Sequence, residues 1–250
     1  MKEKILFTSE SVSKGHPDKV CDQISDAILD ACLSEDPNSR VACEVFTTTN
    51  LVVIGGEITT NAKVDYEKVA RDVLKDIGYD DNEKGIDYRT CEIKVVMDLQ
   101  SSDIALGTND VVGGAGDQGI MFGFACKETE GYMPLPISIA HHLVRVATEK
   151  KDSGEFKYAR PDMKAQVTID YTENKPRIDT ILMSIQHDPD FEEAEFKCYI
   201  KEEIMDAVVK KYNLNTDYKV LINPTGRFVI GGPHGDTGLT GRKIIVDTYG

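Results

Sequence analysis

The chain has 250 residues, 40% of them apolar, and its 43 acidic residues outnumber 29 basic ones to leave a net charge of −14. This composition is typical of a folded globular protein, and the acidic balance argues against a nucleic-acid backbone or an anionic membrane as a partner. No apolar run approaches the roughly 18 residues that span a bilayer, and the N-terminal apolar stretch is too short for a secretory signal. We therefore expect a soluble, cytoplasmic protein.

The first half of the chain predicts two helices and three strands. Apolar side chains recur at helical spacing after Pro17 (Val20, Ile24, Ile28), and proline suits the first position of a helix. Gly78 is placed to end the second helix. In order, the predicted elements are a helix from residue 17, strands over 40–49 and 51–60, a helix over 65–77 and a strand over 91–99.

The second half of the chain repeats this order of elements. The predicted elements there are strands over 165–171 and 178–187 joined by a turn, a helix over 191–212 and a strand over 219–222. Two β-β-α-β units in one chain suggest an internal structural repeat. Between the two units we predict a strand over 120–126 and a helix over 136–150.

The cysteines and the paired histidines do not indicate a metal site. No two cysteines form a C-x-x-C pair, so we expect reduced and mostly buried thiols. His141 and His142 are adjacent in a predicted helix and face different directions, which favours packing or solvent contact over metal ligation. The cysteines are Cys21, Cys32, Cys43, Cys91, Cys126 and Cys198.

A first candidate site is Gly15-His16-Pro17-Asp18-Lys19, at the start of the predicted first helix. The helix dipole, the histidine and the lysine favour an anion such as a phosphate, and Asp18 can hold a cation. The alternative is a capped helix end with solvated charges. Capping accounts for Pro17 and Asp18 only, so both interpretations stay open.

A second candidate is the glycine-rich stretch over 113–119, which contains G-x-G-x-x-G and Asp117. In a dinucleotide-binding fold a helix begins at this motif, whereas a strand is predicted here. Asp117 would also place a negative charge beside the pyrophosphate. We interpret the stretch as a flexible loop over a site, with Asp117 pointing into it. The preceding residues 100–107 are equally loop-like and predict a lid.

A third candidate runs from Asn223 to Lys243 and carries repeated glycines that end in Arg242 and Lys243. The pattern is not a P-loop. Exposed backbone N–H groups beside two cations describe an anion cradle, and the alternative is a long irregular turn. The shorter stretch 160–164, Arg-Pro-Asp-Met-Lys, is predicted to be a solvated turn that enters a strand.

Together these motifs resemble the S-adenosylmethionine synthetase (methionine adenosyltransferase) family. The resemblance covers nearly the whole chain and is carried by five stretches in the expected order. They are Gly15-His16-Pro17-Asp18-Lys19, Gly56-Glu57-Ile58-Thr59-Thr60, residues 114–124, Arg160-Pro161-Asp162, and residues 223–243. Members of this family extend well beyond the position of Gly250, so the chain resembles an N-terminal portion that lacks the C-terminal segment.

The resemblance implies an α/β fold of the α+β type, in which β-β-α-β units repeat with pseudo-threefold symmetry and helices face mixed sheets. It also implies discontinuous domains. Residues 1–13 with 129–231 would form an N-terminal domain, and 14–100 with 232–250 a central domain that is incomplete at its C-terminal end. Residues 101–128 would form a lid loop and the first strand of a C-terminal domain.

The implied reaction joins methionine to ATP, giving S-adenosylmethionine, phosphate and pyrophosphate. The thioether sulfur attacks C5′ of the ribose and has no proton to lose, so the chemistry requires cations around the triphosphate rather than a general base. The family assigns His16, Lys164, Arg242 and Lys243 to catalysis. It assigns ATP binding to these four and to Asp162, Met163, Arg227, Phe228 and Asp236, with the Phe228 ring stacked on adenine.

The resemblance further implies a methionine site, two kinds of metal ion and self-association. The implied methionine-binding residues are Glu57, Gln100, Asp117 and Asp236. Asp18 would bind Mg²⁺, of which complete family members hold two per site, and Glu44 would bind K⁺. Similar proteins are dimers or tetramers that share active sites between subunits.

Two other functions are compatible with the sequence. The chain would be a non-catalytic or truncated ATP-binding subunit if it needs a complete partner chain. An ATP-dependent phosphotransferase of another type is the third alternative, which the absence of a P-loop or kinase signature makes weaker.

Overall fold

The computed structural model describes residues 3–99 and 118–250. The predicted methionine ligands Gln100 and Asp117 lie outside the described residues, as do the predicted lid over 100–107 and most of the glycine-rich stretch over 113–119. The described part of the chain is built around two four-stranded mixed sheets, each covered by helices on one face, and also contains a small two-stranded sheet.

The first half of the chain closely follows the predicted elements. Helix α1 begins at Pro17, and α2 ends where Gly78 adopts a left-handed backbone with φ of 97°. The elements are β1 (Leu6–Val12), α1 (Pro17–Glu35), β2 (Arg40–Thr48), β3 (Leu51–Thr59), α2 (Tyr66–Ile77), β4 (Asp80–Asp81), a 3₁₀ turn (Asn82–Lys84), β5 (Ile86–Asp87) and β6 (Glu92–Asp98).

The second half contains the predicted second hairpin and the helix and strand that follow it. The helical segment after the hairpin is continuous but includes a π-helical turn. The elements are α3 (Leu135–Asp152), β7 (Ala159–Asp170), β8 (Arg177–His187), α4 (Glu193–Tyr199), the π turn (Ile200–Asp206), α5 (Ala207–Lys211), β9 (Lys219–Ile222), α6 (Gly232–Gly235) and β10 (Gly238–Leu239).

The two sheets share one topology, which confirms the internal repeat between the two units. The first sheet has the strand order β1-β7-β8-β9, and the second has the order β10-β2-β3-β6. In each sheet the central hairpin is antiparallel, the strand after the connecting helix adds in parallel, and a distant strand closes the other edge in antiparallel fashion. The mixed α/β fold class is confirmed, and the domain boundaries and a third repeat stay predictions.

Each sheet has its own hydrophobic core. Helices α1 and α2 cover the second sheet, where Ile24, Ile54 and Leu74 are fully buried. Helix α3 and the segment from α4 to α5 cover the first sheet, around Val167 and Phe196. Four of the six cysteines are buried as free thiols, as predicted, whereas Cys126 is half-buried and Cys198 is exposed.

The two histidines of α3 pack as expected. His141 hydrogen-bonds the Ser11 hydroxyl at 2.8 Å, and the His142 ring meets Tyr212 edge-on. Within the described ranges, no helix has the length and apolar character that crossing a membrane requires.

Two local predictions are wrong. Residues 120–126 form no strand, since no neighbouring strand among the described residues bonds to them, and Ile120, Met121 and Phe122 are at least 80% exposed. Residues 160–164 belong to β7 and are not a solvated turn. A register shift between Ala159 and Met163 accommodates Pro161, which has no N–H for the ladder.

Candidate active site

The start of α1 supplies two buried polar side chains to the candidate site. His16 is the N-cap residue, and its Nδ1 accepts a hydrogen bond from the Asp18 N–H at 3.2 Å. Because Nδ1 is the acceptor, Nε2 carries the proton of the neutral ring. His16 and Asp18 are 4% and 2% exposed, so capping and burial hold both side chains in place.

The glycine-rich stretch before the C-terminus folds back onto Asp18. One carboxylate oxygen of Asp18 accepts the Leu239 N–H at 2.9 Å, and the other accepts the Lys243 ammonium at 2.5 Å. Arg242 Nε lies 4.0 Å from the same carboxylate. Pairing of β10 with β2 brings these residues to α1, across more than two hundred positions of sequence.

The charges of this cluster set the protonation of Asp18 and His16. Burial alone would raise the pKa of Asp18, but the hydrogen bond and charge of Lys243 and the Leu239 N–H hold that pKa below its usual value. Burial, followed by the charges of Lys243 and Lys164, lowers the pKa of His16 to about 3. His16 is therefore neutral at pH 7.

Asp162 lies on β7 and is the most unusual group of the site. It is 4% exposed, one oxygen accepts the Gly232 N–H at 2.9 Å, and the other has no hydrogen-bond partner. Burial raises its pKa to about 6, and the charges of Lys164, Asp236 and Lys243 also act on it. A buried carboxylate oxygen without a donor is costly to stability, which is common where a group is kept to bind a ligand.

We expect Asp162→Asn to raise the free energy of unfolding at pH 8 by about 2 kcal/mol. The folded-state pKa of Asp162 lies above its unfolded value, so this carboxyl destabilises the fold increasingly as pH rises from about 4 to about 6. The asparagine carbonyl still accepts the Gly232 N–H but carries no charge. Urea unfolding at pH 8 and pH 3.5 measures the effect, which should nearly vanish at the lower pH. Asp72→Asn on exposed α2 is the control, and a less stable D162N protein at pH 8 contradicts the argument.

The remaining predicted ATP residues lie at different depths. Lys164, Arg227 and Asp236 are exposed, and Phe228 is half-buried. The charges of Lys164 and Asp236 act on the pKa values of both His16 and Asp162, so Lys164 and Asp236 belong to the same cluster. Met163 is different, since its side chain lies fully in the first core and its N–H and C=O are bonded to Ser13.

The predicted residues Glu44 and Glu57 lie on the exposed face of the second sheet. Glu44 is on β2 and Glu57 on β3, where it pairs with Ala42, so the two carboxylates share one face. The Thr240 hydroxyl donates a hydrogen bond to Glu44, which connects Glu44 to the glycine-rich stretch.

Three residues that the sequence did not single out organise the site. The Tyr79 hydroxyl is fully buried and donates to the carbonyl of Gly15, just before His16. The Gln186 side chain donates to the carbonyl oxygens of Lys84 and Val229, each at 2.9 Å. His187 contacts the backbone of Phe228. None of the three belongs to a motif, so only their position in the fold identifies them.

The described residues offer metal ions few ligands. Within residues 3–99 and 118–250 no group of three or more His, Cys, Asp or Glu side chains could hold a metal. Mg²⁺ commonly takes one or two protein carboxylates when phosphates and water complete its shell, and Asp18 fits that minimal requirement. Glu44 and the Thr240 hydroxyl bring two oxygen atoms together at the edge of the second sheet.

Comparison with known proteins matches nearly all of this chain to one family. The N-terminal domain of S-adenosylmethionine synthetase matches residues 4–102, the central domain matches 112–228, and the C-terminal domain matches 230–250. The S-adenosylmethionine synthase of Mycoplasma capricolum subsp. capricolum is 68% identical over 99% of this chain, and that of Clostridium botulinum is 54% identical over 99%.

These relatives are longer proteins. The alignments cover 65% of the Mycoplasma capricolum protein and 66% of the Clostridium botulinum protein, so the chain spans about two thirds of the relatives it matches. The matches confirm the resemblance that the five motifs indicate, and the chain belongs to the S-adenosylmethionine synthetase family.

Proposed function

We propose that this chain carries the ATP-binding part of an enzyme that joins methionine to ATP and forms S-adenosylmethionine with release of phosphate and pyrophosphate. The observation that carries the proposal is the convergence of three separated motifs on Asp18 and Asp162. Lys243 reaches Asp18 from the glycine-rich stretch, and Gly232 of the same stretch bonds Asp162. The relatives named S-adenosylmethionine synthase support the reaction.

The proposed chemistry suits the residue types that converge. Attack of sulfur on C5′ releases a triphosphate with several negative charges, and preorganised cations stabilise that charge best where water is excluded. We assign this role to Lys164, Arg242 and Lys243. His16 offers its Nε2 proton as a neutral donor to the same phosphates, and their negative charge would raise its pKa.

Asp18 is the proposed ligand for Mg²⁺, which supplies positive charge to the phosphates when it enters with ATP. The Lys243 ammonium pairs with the Asp18 carboxylate in the structure, so the carboxylate is already positioned at the site before a metal ion binds. For K⁺ we propose Glu44 as a ligand. A second Mg²⁺ per site would need carboxylates beyond those that converge in the described residues.

On the methionine side we propose Glu57 for the ammonium group, with Asp236, Asp117 and Gln100 near the sulfonium that forms. Negative charge there favours the developing positive charge on sulfur. Asp117 and Gln100 lie outside the described residues, so their roles rest on the family motif alone.

We further propose a cytoplasmic protein that self-associates as a dimer or tetramer with shared active sites, together with the discontinuous domain boundaries given above. The outer face of the second sheet supports self-association. Phe46, Val96 and Leu239 lie on that face and are 37%, 61% and 40% exposed, and exposed apolar patches commonly mark interfaces.

Product analysis tests the proposed reaction. The chain is incubated with methionine, ATP, Mg²⁺ and K⁺, and S-adenosylmethionine, phosphate and pyrophosphate are measured beside a chimera that adds the C-terminal third of the Mycoplasma capricolum relative. Activity in both proteins supports the proposal and contradicts the alternative of a non-catalytic subunit. Activity in the chimera alone supports that alternative, and ADP as the product in either protein supports a phosphotransferase.

We expect Lys164→Ala to weaken binding of inorganic tripolyphosphate roughly tenfold, because one charge-assisted contact to the anion is lost. Isothermal titration calorimetry with the whole chain measures this. Lys68→Ala is the matched control, since Lys68 is an exposed lysine of α2 paired with Asp72. Equal weakening by both variants would mean that only net charge matters and would remove Lys164 from the site.

A further inference from the structure

The end of β8 holds the backbone of Phe228 and Val229 through three hydrogen bonds. The Phe228 N–H donates to His187 Nε2 at 3.0 Å, and the His187 N–H donates to the Phe228 carbonyl at 2.9 Å. Gln186 Nε2 donates to the Val229 carbonyl at 2.9 Å. Three backbone polar groups of an otherwise irregular loop are thus bound to His187 and Gln186 at the end of β8.

The His187 ring is itself fixed in one orientation. It is fully buried, its centroid lies 3.7 Å from that of Phe191, and Phe196 meets it edge-on at 5.5 Å. Nδ1 bonds the carbonyl oxygen of Asp188 at 2.9 Å and must therefore donate, which leaves Nε2 as the acceptor that the Phe228 N–H needs.

The environment keeps that tautomer neutral. Burial lowers the pKa of His187, and the charges of Arg227 and Arg160 lower it further, while the Asp188 carbonyl and carboxylate oppose this effect. Glu193 on α4 also interacts electrostatically with the His187 ring. A protonated ring would present a donor to the Phe228 N–H, so the contact exists only with the neutral form.

The Phe228 ring packs closely against Gly231. A Cβ atom at Gly231 would lie 3.0 Å from Phe228 Cε2 and 2.8 Å from Gln186 Cδ, so the ring already fills the space beside that glycine. The backbone bonds and this close approach together hold a half-buried aromatic ring against Gly231, the residue before the Gly232 that donates to Asp162.

We propose that His187 is a positioning residue for nucleotide binding, because it fixes the Phe228 backbone and with it the ring that stacks on adenine. The inference rests on the proposed function and on the role of Phe228 in the ATP site that the family resemblance implies. His187 touches no phosphate-binding residue of the cluster around Asp18 through any contact described above. Its loss should therefore affect the base end of ATP and leave the triphosphate end intact.

The experiment compares two ligands and three variants of the whole chain by isothermal titration calorimetry. His187→Phe keeps a buried ring but leaves the Phe228 N–H without an acceptor, whereas His187→Gln places a carbonyl oxygen near the position of Nε2. His142→Phe is the control, since His142 also packs edge-on against an aromatic ring but lies on α3. The ligands are MgATP and inorganic tripolyphosphate, which has no base.

We expect H187F to bind MgATP roughly tenfold more weakly, as loss of a buried hydrogen-bond acceptor commonly does, and to bind tripolyphosphate as the wild type does. H187Q should recover most of the MgATP affinity, and H142F should match the wild type with both ligands. Unchanged MgATP binding by H187F, or equal loss for both ligands, overturns the role of His187. Failure of the wild type to bind either ligand overturns the proposed function and the inference with it.

Hydrogen exchange of the Phe228 amide in the wild type tests the contact without any variant, and it decides the matter if H187F does not fold. We expect strong protection of this amide at neutral pH, relative to its intrinsic exchange rate, and weaker protection in acid once His187 is protonated. Exchange at the rate of an unstructured amide at neutral pH would overturn the positioning role.

Discussion

Replacing Lys243 by methionine should lower the free energy of unfolding by about 3 kcal/mol at pH 7, because it leaves the buried Asp18 carboxylate without its charged partner. Asp18 is 2% exposed and the Lys243 side chain is 17% exposed, so water replaces little of the lost interaction. Methionine keeps the length of the lysine stem, which limits the contribution of lost packing. Chemical denaturation of the whole chain measures the change.

The pH dependence identifies the cause. The folded-state pKa of Asp18 lies below its unfolded value, so the stability it contributes is present above about pH 4 and is lost as pH falls through the lower folded-state pKa. The difference between wild type and K243M should therefore shrink in acid. The double variant D18N/K243M should be more stable than K243M at pH 7, since asparagine still accepts the Leu239 N–H.

Lys68→Met is the control for Lys243→Met, since Lys68 makes an exposed ion pair on α2, and exposed pairs contribute little. Lys68→Met should leave the midpoint of the denaturation curve unchanged. A K243M protein as stable as the wild type at pH 7 would contradict the argument, because the Asp18 carboxylate would then be stable in its buried position without a cation.

Replacing Gly15 by alanine should lower the free energy of unfolding by about 3 kcal/mol, since an overpacked site forces backbone to move. A Cβ atom at Gly15 would overlap the Pro161 carbonyl group and lie 2.5 Å from the Pro161 side chain. Ser13 also holds this strand in place, because its hydroxyl donates a hydrogen bond of 2.7 Å to the Pro161 carbonyl. The backbone segments at Gly15 and at Pro161 therefore have little room to move apart.

The displacement should also reach the site, because Gly15 precedes His16 and its carbonyl accepts the Tyr79 hydroxyl. We expect G15A to weaken tripolyphosphate binding as well as stability. Gly123→Ala is the matched control, since nothing lies within 4 Å of a Cβ at that glycine. Similar stability of G15A and G123A would show that the chain between β1 and α1 is free to move.

Local patterns predicted most elements because their causes are local. The Pro17 start of α1, the apolar period of Val20, Ile24 and Ile28, and the left-handed Gly78 all depend on neighbouring residues. The strand predicted over 120–126 failed for the opposite reason. A strand is stabilised by hydrogen bonds to another strand, and the apolar residues of this segment do not reveal whether a partner exists.

By itself the sequence determined the two β-β-α-β units, the family and the glycine-flanked charges that belong to its motifs. Only the tertiary structure decided which charges meet, that His16 is neutral, and that Asp162 keeps an unpaired buried oxygen. The reason is physical. The protonation state and the pairing of a side chain depend on its burial and on charges from distant positions of the sequence. Lys243, for example, pairs with Asp18 from 225 positions away, and no local pattern encodes that contact.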